Sequence, residues 1–263
     1  MDYSSFDRPE ITNFLFHPRA EYGEGISEEG FEEIMIPVEK DVEIGARFYG
    51  SEKNSPVLLF FHGNGEIVAD YHDISQLYTR MNVNFFPIDY RGYGKSSGRP
   101  SVTTMMRDSQ TSFKFALDWL TKNGYTGNII IMGRSLGSAA ALEIASNFED
   151  RFSGLIIESG FAFAVPLLRL LGINAERLGM EENKGFRNFD KIKKVNKPTL
   201  VIHAENDHII PFQDGKYLYD NCMDENKSLL MIPDANHNDI FARGLQVYMQ
   251  AVKQLIERAI AQR

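Results

Sequence analysis

Gly133-Arg134-Ser135-Leu136-Gly137 lies between the apolar run Ile129-Ile130-Ile131-Met132 and the small residues Ser138-Ala139-Ala140-Ala141. The apolar run reads as a buried strand and the small residues as the start of a helix. The five residues between them must therefore make a sharp strand-to-helix turn. Such a turn strains the backbone at Ser135, and Gly133 and Gly137 supply flanks without bulk. The hydroxyl of Ser135 is then held at the carboxyl edge of a sheet, at a helix N-terminus.

A serine is a poor nucleophile at neutral pH. It needs a base to take its proton, an acid to orient that base, and donors for a developing oxyanion. In a strand–turn–helix site these partners follow in the order Ser, Asp or Glu, His. Pro198-Thr199-Leu200-Val201-Ile202-His203-Ala204 reads as a strand, and Glu205-Asn206-Asp207 as the turn after it, so Asp207 is the expected acid. Glu158, at the end of the strand Gly154-Leu155-Ile156-Ile157, and Glu205 are the competing carboxylates. The base is expected at His237, on the loop after the strand Leu229-Leu230-Met231-Ile232-Pro233. Of the six histidines, His237 alone has both the chain order and the loop position. His17 lies in the N-terminal segment and His72 on a helix. His203 reads as a satisfied core or edge residue, and His208 as loop structure.

The oxyanion donors are expected to be backbone N–H groups. One is that of Leu136, after the nucleophile. The second is that of Asn64, in the loop His62-Gly63-Asn64-Gly65 that ends the strand Val57-Leu58-Leu59-Phe60-Phe61. His62 is read as shaping that loop. Arg134 is read as pointing away from the substrate, pairing with a carboxylate or packing its stem, and Arg91 and Lys95 as bracing their loop.

A hairpin of two strands, Phe31 to Pro37 and Val42 to Tyr49, opens the pattern. Strands and helices then alternate: 57–61, 66–80, 83–88, 102–122, 128–132, 136–147, 154–158, 199–204, 212–222, 228–232 and 240–261. This alternation predicts an α/β fold, a mostly parallel eight-stranded sheet with helices on both faces, in a single domain over residues 1–263. The stripe Val102, Met105, Met106, Ser109, Phe113, Ala116 and Leu120, with Trp119 beside it, reads as core packing. Ser159 to Lys197 breaks the alternation and reads as a small cap insertion. Its apolar residues suit either an acyl or aromatic pocket or a helix packed on the sheet.

Five segments in order resemble the α/β-hydrolase superfamily: His62-Gly63-Asn64-Gly65, Asp89-Tyr90-Arg91-Gly92-Tyr93-Gly94-Lys95-Ser96, Gly133-Arg134-Ser135-Leu136-Gly137-Ser138, Glu205-Asn206-Asp207-His208-Ile209-Ile210-Pro211 and Asn236-His237-Asn238-Asp239. The first two are similar to a serine-hydrolase branch that includes eukaryotic depalmitoylase-like proteins and many bacterial members. Ala204 stands where the family often has glycine. The resemblance implies a hydrolase of esters, thioesters or amides.

With 36 acidic against 28 basic residues, the formal charge is −8, which disfavours nucleic acid or an anionic membrane as a default partner. The single cysteine, Cys222, cannot form an internal disulfide and reads as structural. No apolar run approaches the ~20 residues of a membrane span. The start Met1-Asp2-Tyr3-Ser4-Ser5 has neither a basic nor an apolar leader region, so a soluble cytoplasmic protein is expected. The expected reaction uses no metal and no cofactor, and its substrate is a small-molecule ester or thioester. A peptidase or amidase, and a non-catalytic ligand-binding protein on the same fold, are the alternatives.

Overall fold

The computed structural model of the chain describes residues 1–21 and 30–261. The apolar runs assemble into one sheet of eight strands: β1 Glu32–Glu39, β2 Val42–Phe48, β3 Val57–Phe61, β4 Asn84–Ile88, β5 Ile129–Arg134, β6 Gly154–Glu158, β7 Thr199–Ala204 and β8 Ser228–Ile232. Their order is β1-β2-β4-β3-β5-β6-β7-β8. β1 and β2 form an antiparallel hairpin, β2 meets β4 antiparallel, and every later neighbour is parallel. Each residue of β3, β4, β6 and β7 is buried, as continuous apolar runs between two helical layers must be.

The helices are α1 Pro9–Leu15, α2 His72–Thr79, α3 Val102–Lys122, α4 Gly137–Asn147, α5 Ala164–Leu170, α6 Asn188–Lys191, α7 Phe212–Asn221 and α8 Ile240–Ala261. Two apolar clusters separate the faces of the sheet. One holds the buried sides of α1, α3, α4, α5 and α7; the other holds those of α2 and α8. The stripe expected on α3 is buried in full, and Trp119 stacks beside Tyr125 and against Phe48 and Phe86. α4 is buried from Gly137 to Ala145, so its alanines let it lie close to the sheet.

Several boundaries differ from the sequence reading. β1 runs on to Glu39, with a register irregularity after Pro37, and the hairpin turns at Asp41 with φ +60°. The helix expected from residue 66 begins only as a 3-10 turn at Val68–Tyr71 before α2. In α8, Gly244 has non-helical angles, φ −134° and ψ 21°. That break shifts the phase of the apolar face, so Leu245 is exposed and Gly244 lies on Ile232. The N-terminal segment, unassigned from sequence, forms a 3-10 turn at Ser4–Phe6, α1, and a short bridge from Ala20 to Gly94.

Within residues 159–197, one side of α5 packs into the core and the other borders a cleft. Ala164, Val165 and Leu168 of α5 join the core, whereas Pro166, Leu167 and Leu170 face a cleft. Cys222, which ends α7, is buried and donates toward Val195 O and Thr199 Oγ1; burial raises its thiol pKa. Among the described residues no helix is long and apolar enough to cross a membrane.

The glycines of the β5–α4 turn are required by space. A Cβ on Gly137 would stand 2.1 Å from the Phe61 carbonyl oxygen, and one on Gly133 would stand 2.3 Å from that of Gly137. Gly124 differs: its φ is +72° but nothing lies within 4 Å. Gly137→Ala is therefore expected to cost about 3 kcal/mol, as overpacking against backbone. Gly124→Ala should cost about 1 kcal/mol, as left-handed strain alone. Urea denaturation of the two variants checks the difference; equal losses would contradict it.

Candidate active site

Strand register brings the carboxyl ends together. Phe61 pairs with Gly133, Arg134 with Glu158, Glu158 with Ile202, and Ala204 with Ile232. The loops after β3, β5, β6, β7 and β8 thus share one edge. Because β3 lies between β4 and β5, the chain leaves β3 and β5 toward opposite faces, which opens a crevice there.

Ser135 stands in that crevice with φ +50°, a strained value for a residue bearing a Cβ. Its N–H donates to Glu158 O at 2.8 Å, and its carbonyl accepts from Ser138 Oγ at 2.6 Å. These bonds hold the turn against the strain. His237 Nε2 is 2.9 Å from Ser135 Oγ, and His237 Nδ1 is 2.7 Å from Asp207 Oδ2. All three residues are buried. The Asp207 carboxylate fixes the proton on Nδ1, leaving Nε2 to accept the serine proton. Asp207 Oδ1 accepts the N–H groups of Ile209 at 2.9 Å and Ile210 at 2.8 Å. Burial would raise the Asp207 pKa, but the His237 contact and these two donors outweigh it and hold the carboxyl below its ordinary value. The arrangement can pass a proton from a hydroxyl to an imidazole and stabilise the imidazolium that results.

The competing residues are engaged elsewhere. Glu158 bonds Arg134 Nε at 3.0 Å and Tyr248 OH at 2.6 Å, and burial raises its pKa. Glu205 accepts from Asp234 N at 2.9 Å. His62, fully buried, contacts Gly63 O at 2.8 Å and Asp89 Oδ1 at 3.0 Å. His208 is exposed. His203 departs from the sequence expectation of a satisfied histidine. Its Nε2 bonds Ile210 O at 2.8 Å and lies 3.5 Å from Asp207 Oδ2, while Nδ1 has no partner among the described residues. Burial lowers its pKa, so it stands as a neutral ring behind the acid loop. Arg91 pairs with Asp108 and Glu39, and Lys95 with Glu33, as loop braces.

The two expected backbone donors are unpaired: among the described residues neither the Leu136 nor the Asn64 N–H makes a hydrogen bond. Leu136 immediately precedes α4, where the helix leaves its first N–H groups open. The Asn64 side chain is turned to His17 and Tyr93, contacts that lie 47 and 29 residues away in sequence and had no local signal.

Arg134 does more than pair with one carboxylate. It bonds Glu158, Glu66, and the His237 carbonyl at 3.0 Å. Glu66 in turn accepts the Gly63 N–H at 2.7 Å. One guanidinium therefore connects the serine strand, the loop after β3 and the histidine loop. Burial alone would depress its pKa, but the carboxylates of Glu66 and Glu158 keep it above the ordinary value. Arg134→Met should destabilise the fold by about 3–5 kcal/mol, because Glu158 is left buried and unpaired. Adding Glu158→Gln should recover much of that loss in denaturant titrations; a double variant no more stable than the single would contradict it.

Beside the acid loop lies an apolar cleft of about 90 Å³, lined by Phe161, Phe163 and Leu167 on the cap side and Ile209, Ile210 and Pro211 on the other. A larger cavity of about 320 Å³, between Pro56, Met81, Val83 and Ile256, lies at the opposite end of the strands and has no part in this site.

Residues 52–178 match the family described as serine aminopeptidase, S33. The chain is 30% identical over 217 residues to alpha/beta hydrolase domain-containing protein 17B of Xenopus laevis, covering 77% of this chain and 67% of that protein. It is 29% identical over 242 residues to the Homo sapiens 17B protein, covering 86% and 75%. It is 31% identical over 194 residues to Protein bem46 of Schizosaccharomyces pombe, covering 72% of this chain and 64%, less than two thirds, of that protein. Among solved structures, the Pyrococcus furiosus esterase Pf2001 superposes with a TM-score of 0.74 at 16% identity, over 93% of this chain and 97% of that one. Est1E of Butyrivibrio proteoclasticus, with ferulic acid bound, superposes with a TM-score of 0.70 at 17% identity, over 87% and 99%. An eight-stranded sheet in this order, a strained serine between β5 and α4, and these likenesses converge: the chain belongs to the α/β-hydrolase superfamily.

Proposed function

We propose that this hydrolase cleaves a carboxylic ester or thioester through an acyl-enzyme on Ser135. The observation that carries the reading is the unbroken relay from Ser135 Oγ through His237 to Asp207, at 2.9 and 2.7 Å. Ser135 Oγ attacks the substrate carbonyl carbon as its proton passes to His237 Nε2. The carbonyl oxygen becomes an oxyanion, which the Leu136 and Asn64 N–H groups stabilise. Collapse of the tetrahedral species breaks the bond to the alcohol or thiol, which leaves with the proton from His237. Water then adds to the acyl-serine with His237 again as base, releasing the acid and restoring Ser135. Arg134 acts as a positioning residue through Glu66 and the His237 carbonyl.

The cleft beside Ile209 and Ile210 is the proposed acyl pocket. A cavity of ~150 Å³ takes a benzene, so about 90 Å³ suits an acyl group of about three or four carbons. A peptidase is the second reading, favoured by the description of the matched family. Asp214 is the carboxylate lining the cleft, yet it accepts the N–H groups of Ala162 at 2.7 Å and Phe163 at 3.1 Å. One of its oxygens is thus already taken by the backbone, which suits it poorly to receive a substrate ammonium.

Ser135→Ala should lower kcat by about 10⁴ to 10⁶, and Asp207→Asn by about 10⁴, with Glu158→Gln losing far less. A fluorophosphonate should label Ser135, as read by mass spectrometry; an adduct elsewhere would sink the reading. Because the base must be neutral, kcat/KM should fall on acidification. Asp207, held below its ordinary value, keeps its charge on mild acidification and should not contribute to that fall, and His237→Ala should abolish turnover.

On p-nitrophenyl esters, kcat/KM should peak at about four acyl carbons, the size of the cleft, and fall about tenfold by twelve. Leu167→Trp should shift the optimum to acetate. A flat profile, or faster turnover of aminoacyl anilides, would favour the other readings.

A further inference from the structure

The loop Gly63-Asn64-Gly65 has a glycine on each side of its proposed donor, and Gly65 has φ +75°. Such a loop cannot fix a peptide plane by itself. Its inner side is held through Gly63 by Glu66 and Arg134. Its outer side is held by a different part of the chain. After α1, residues 16–21 run across the loop and are stitched to the turn beyond β4: Gly94 N donates to Arg19 O at 2.8 Å, and Glu21 N to Gly94 O at 3.1 Å. From this segment the His17 N–H donates to Asn64 Oδ1 at 2.8 Å. Tyr93 OH donates to the same oxygen at 2.7 Å. The Asn64 Nδ2 group donates to His17 Nδ1 at 2.7 Å, and Arg19 Nε donates to Gly65 O at 3.2 Å. Two donors on Oδ1 fix the amide orientation, so His17 meets Asn64 with a lone pair on Nδ1. The Asn64 side chain is thus clamped outside the site while its own N–H stays unpaired.

We propose that His17 and Tyr93 are positioning residues for the oxyanion donor, and that residues 16–21 form a strap that pre-sets the Asn64 N–H for the transition state. The proposal rests on the reading of this chain as a serine hydrolase with Asn64 in the oxyanion hole. Stabilisation of an oxyanion depends on donors already in place when the charge forms. A loosened strap therefore weakens the transition state and leaves ground-state binding of the ester almost untouched.

Three variants test this in the full chain: Tyr93→Phe, which keeps the ring and deletes the donor; His17→Ala, which deletes the acceptor; and His17→Asn, whose Oδ1 takes the place of the imidazole Nδ1. Losing a whole oxyanion donor costs ~10²–10³ in kcat, so loosening one should cost about tenfold, with KM within about twofold. Affinity for a boronic acid, which forms a tetrahedral adduct, should fall in parallel. His17→Asn should restore both. Hydrogen exchange of the 62–67 amides should quicken in Tyr93→Phe and His17→Ala and return to the wild-type rate in His17→Asn. Unchanged kcat, a loss confined to KM, or no rescue by His17→Asn would overturn the strap. If the active, fluorophosphonate-labelled wild type is matched by its variants, the strap fails alone. A wild type inert to the probe overturns the hydrolase reading and the strap's role in it together.

Discussion

Gly137 has no Cβ, and the geometry of the site depends on that. The first turn of α4 lies against the end of β3 so closely that a methyl group there would overlap the carbonyl oxygens of Phe61 and His62. This contact sets the loop after β3 beside Ser135. It puts the two unpaired N–H groups, of Leu136 and Asn64, on the same edge as the serine hydroxyl. The price is a strained φ at Ser135, held by the bonds to Glu158 O and Ser138 Oγ.

Two carboxylates end adjacent strands at this edge, and their surroundings give them different work. Asp207 lies on a turn that aims two backbone N–H groups at one oxygen and leaves the other for His237. Ionisation is favoured there despite burial. Glu158 lies within β6, fully buried, and shares a single guanidinium with Glu66. Its charge is only partly compensated, and its oxygens are taken by Arg134 and Tyr248. A carboxylate that orients an imidazole must be charged and have an oxygen to spare. Asp207 has an oxygen free for His237, whereas both oxygens of Glu158 are already engaged.

The sheet was legible because each strand carries its own signal. β6, β7 and β8 fall at the expected residues, and α3 at 102–122. The order of serine, acid and histidine was legible because each follows a recognisable strand, and the structure brings those three residues into one relay. What was not legible is carried by contacts remote in sequence. Arg134 reaches Glu66 and the His237 carbonyl across 68 and 103 positions. His203, read as a core or edge residue of its strand, is fully buried, but its approach to within 3.5 Å of Asp207 had no local signal. The exposure of Leu245 in α8 has a local cause that periodicity cannot see, the non-helical Gly244.

The N-terminal segment lacks a periodic pattern, and tertiary contacts supply its order instead. Tyr3 OH donates to Glu143 Oε2 at 2.6 Å, and the fully buried Lys191 pairs with the same oxygen at 2.7 Å. Gln110 donates to the other carboxylate oxygen at 2.7 Å. A buried carboxylate is costly unless its lone pairs are filled, and here three elements must be in register to fill them: the N-terminal turn, α3 and α6 of the cap. Phe6 adds a steric condition, since a Cβ on Gly185 would stand 2.4 Å from its ring. Burial of Glu143 on α4 therefore fixes the cap and the N-terminal segment to the same helix that begins beside Ser135. The segment leaves this anchor, forms α1 and crosses to Asn64. The helix that begins beside Ser135 and the loop of the proposed oxyanion donor are thereby tied by one stretch of chain, as well as by the sheet between them.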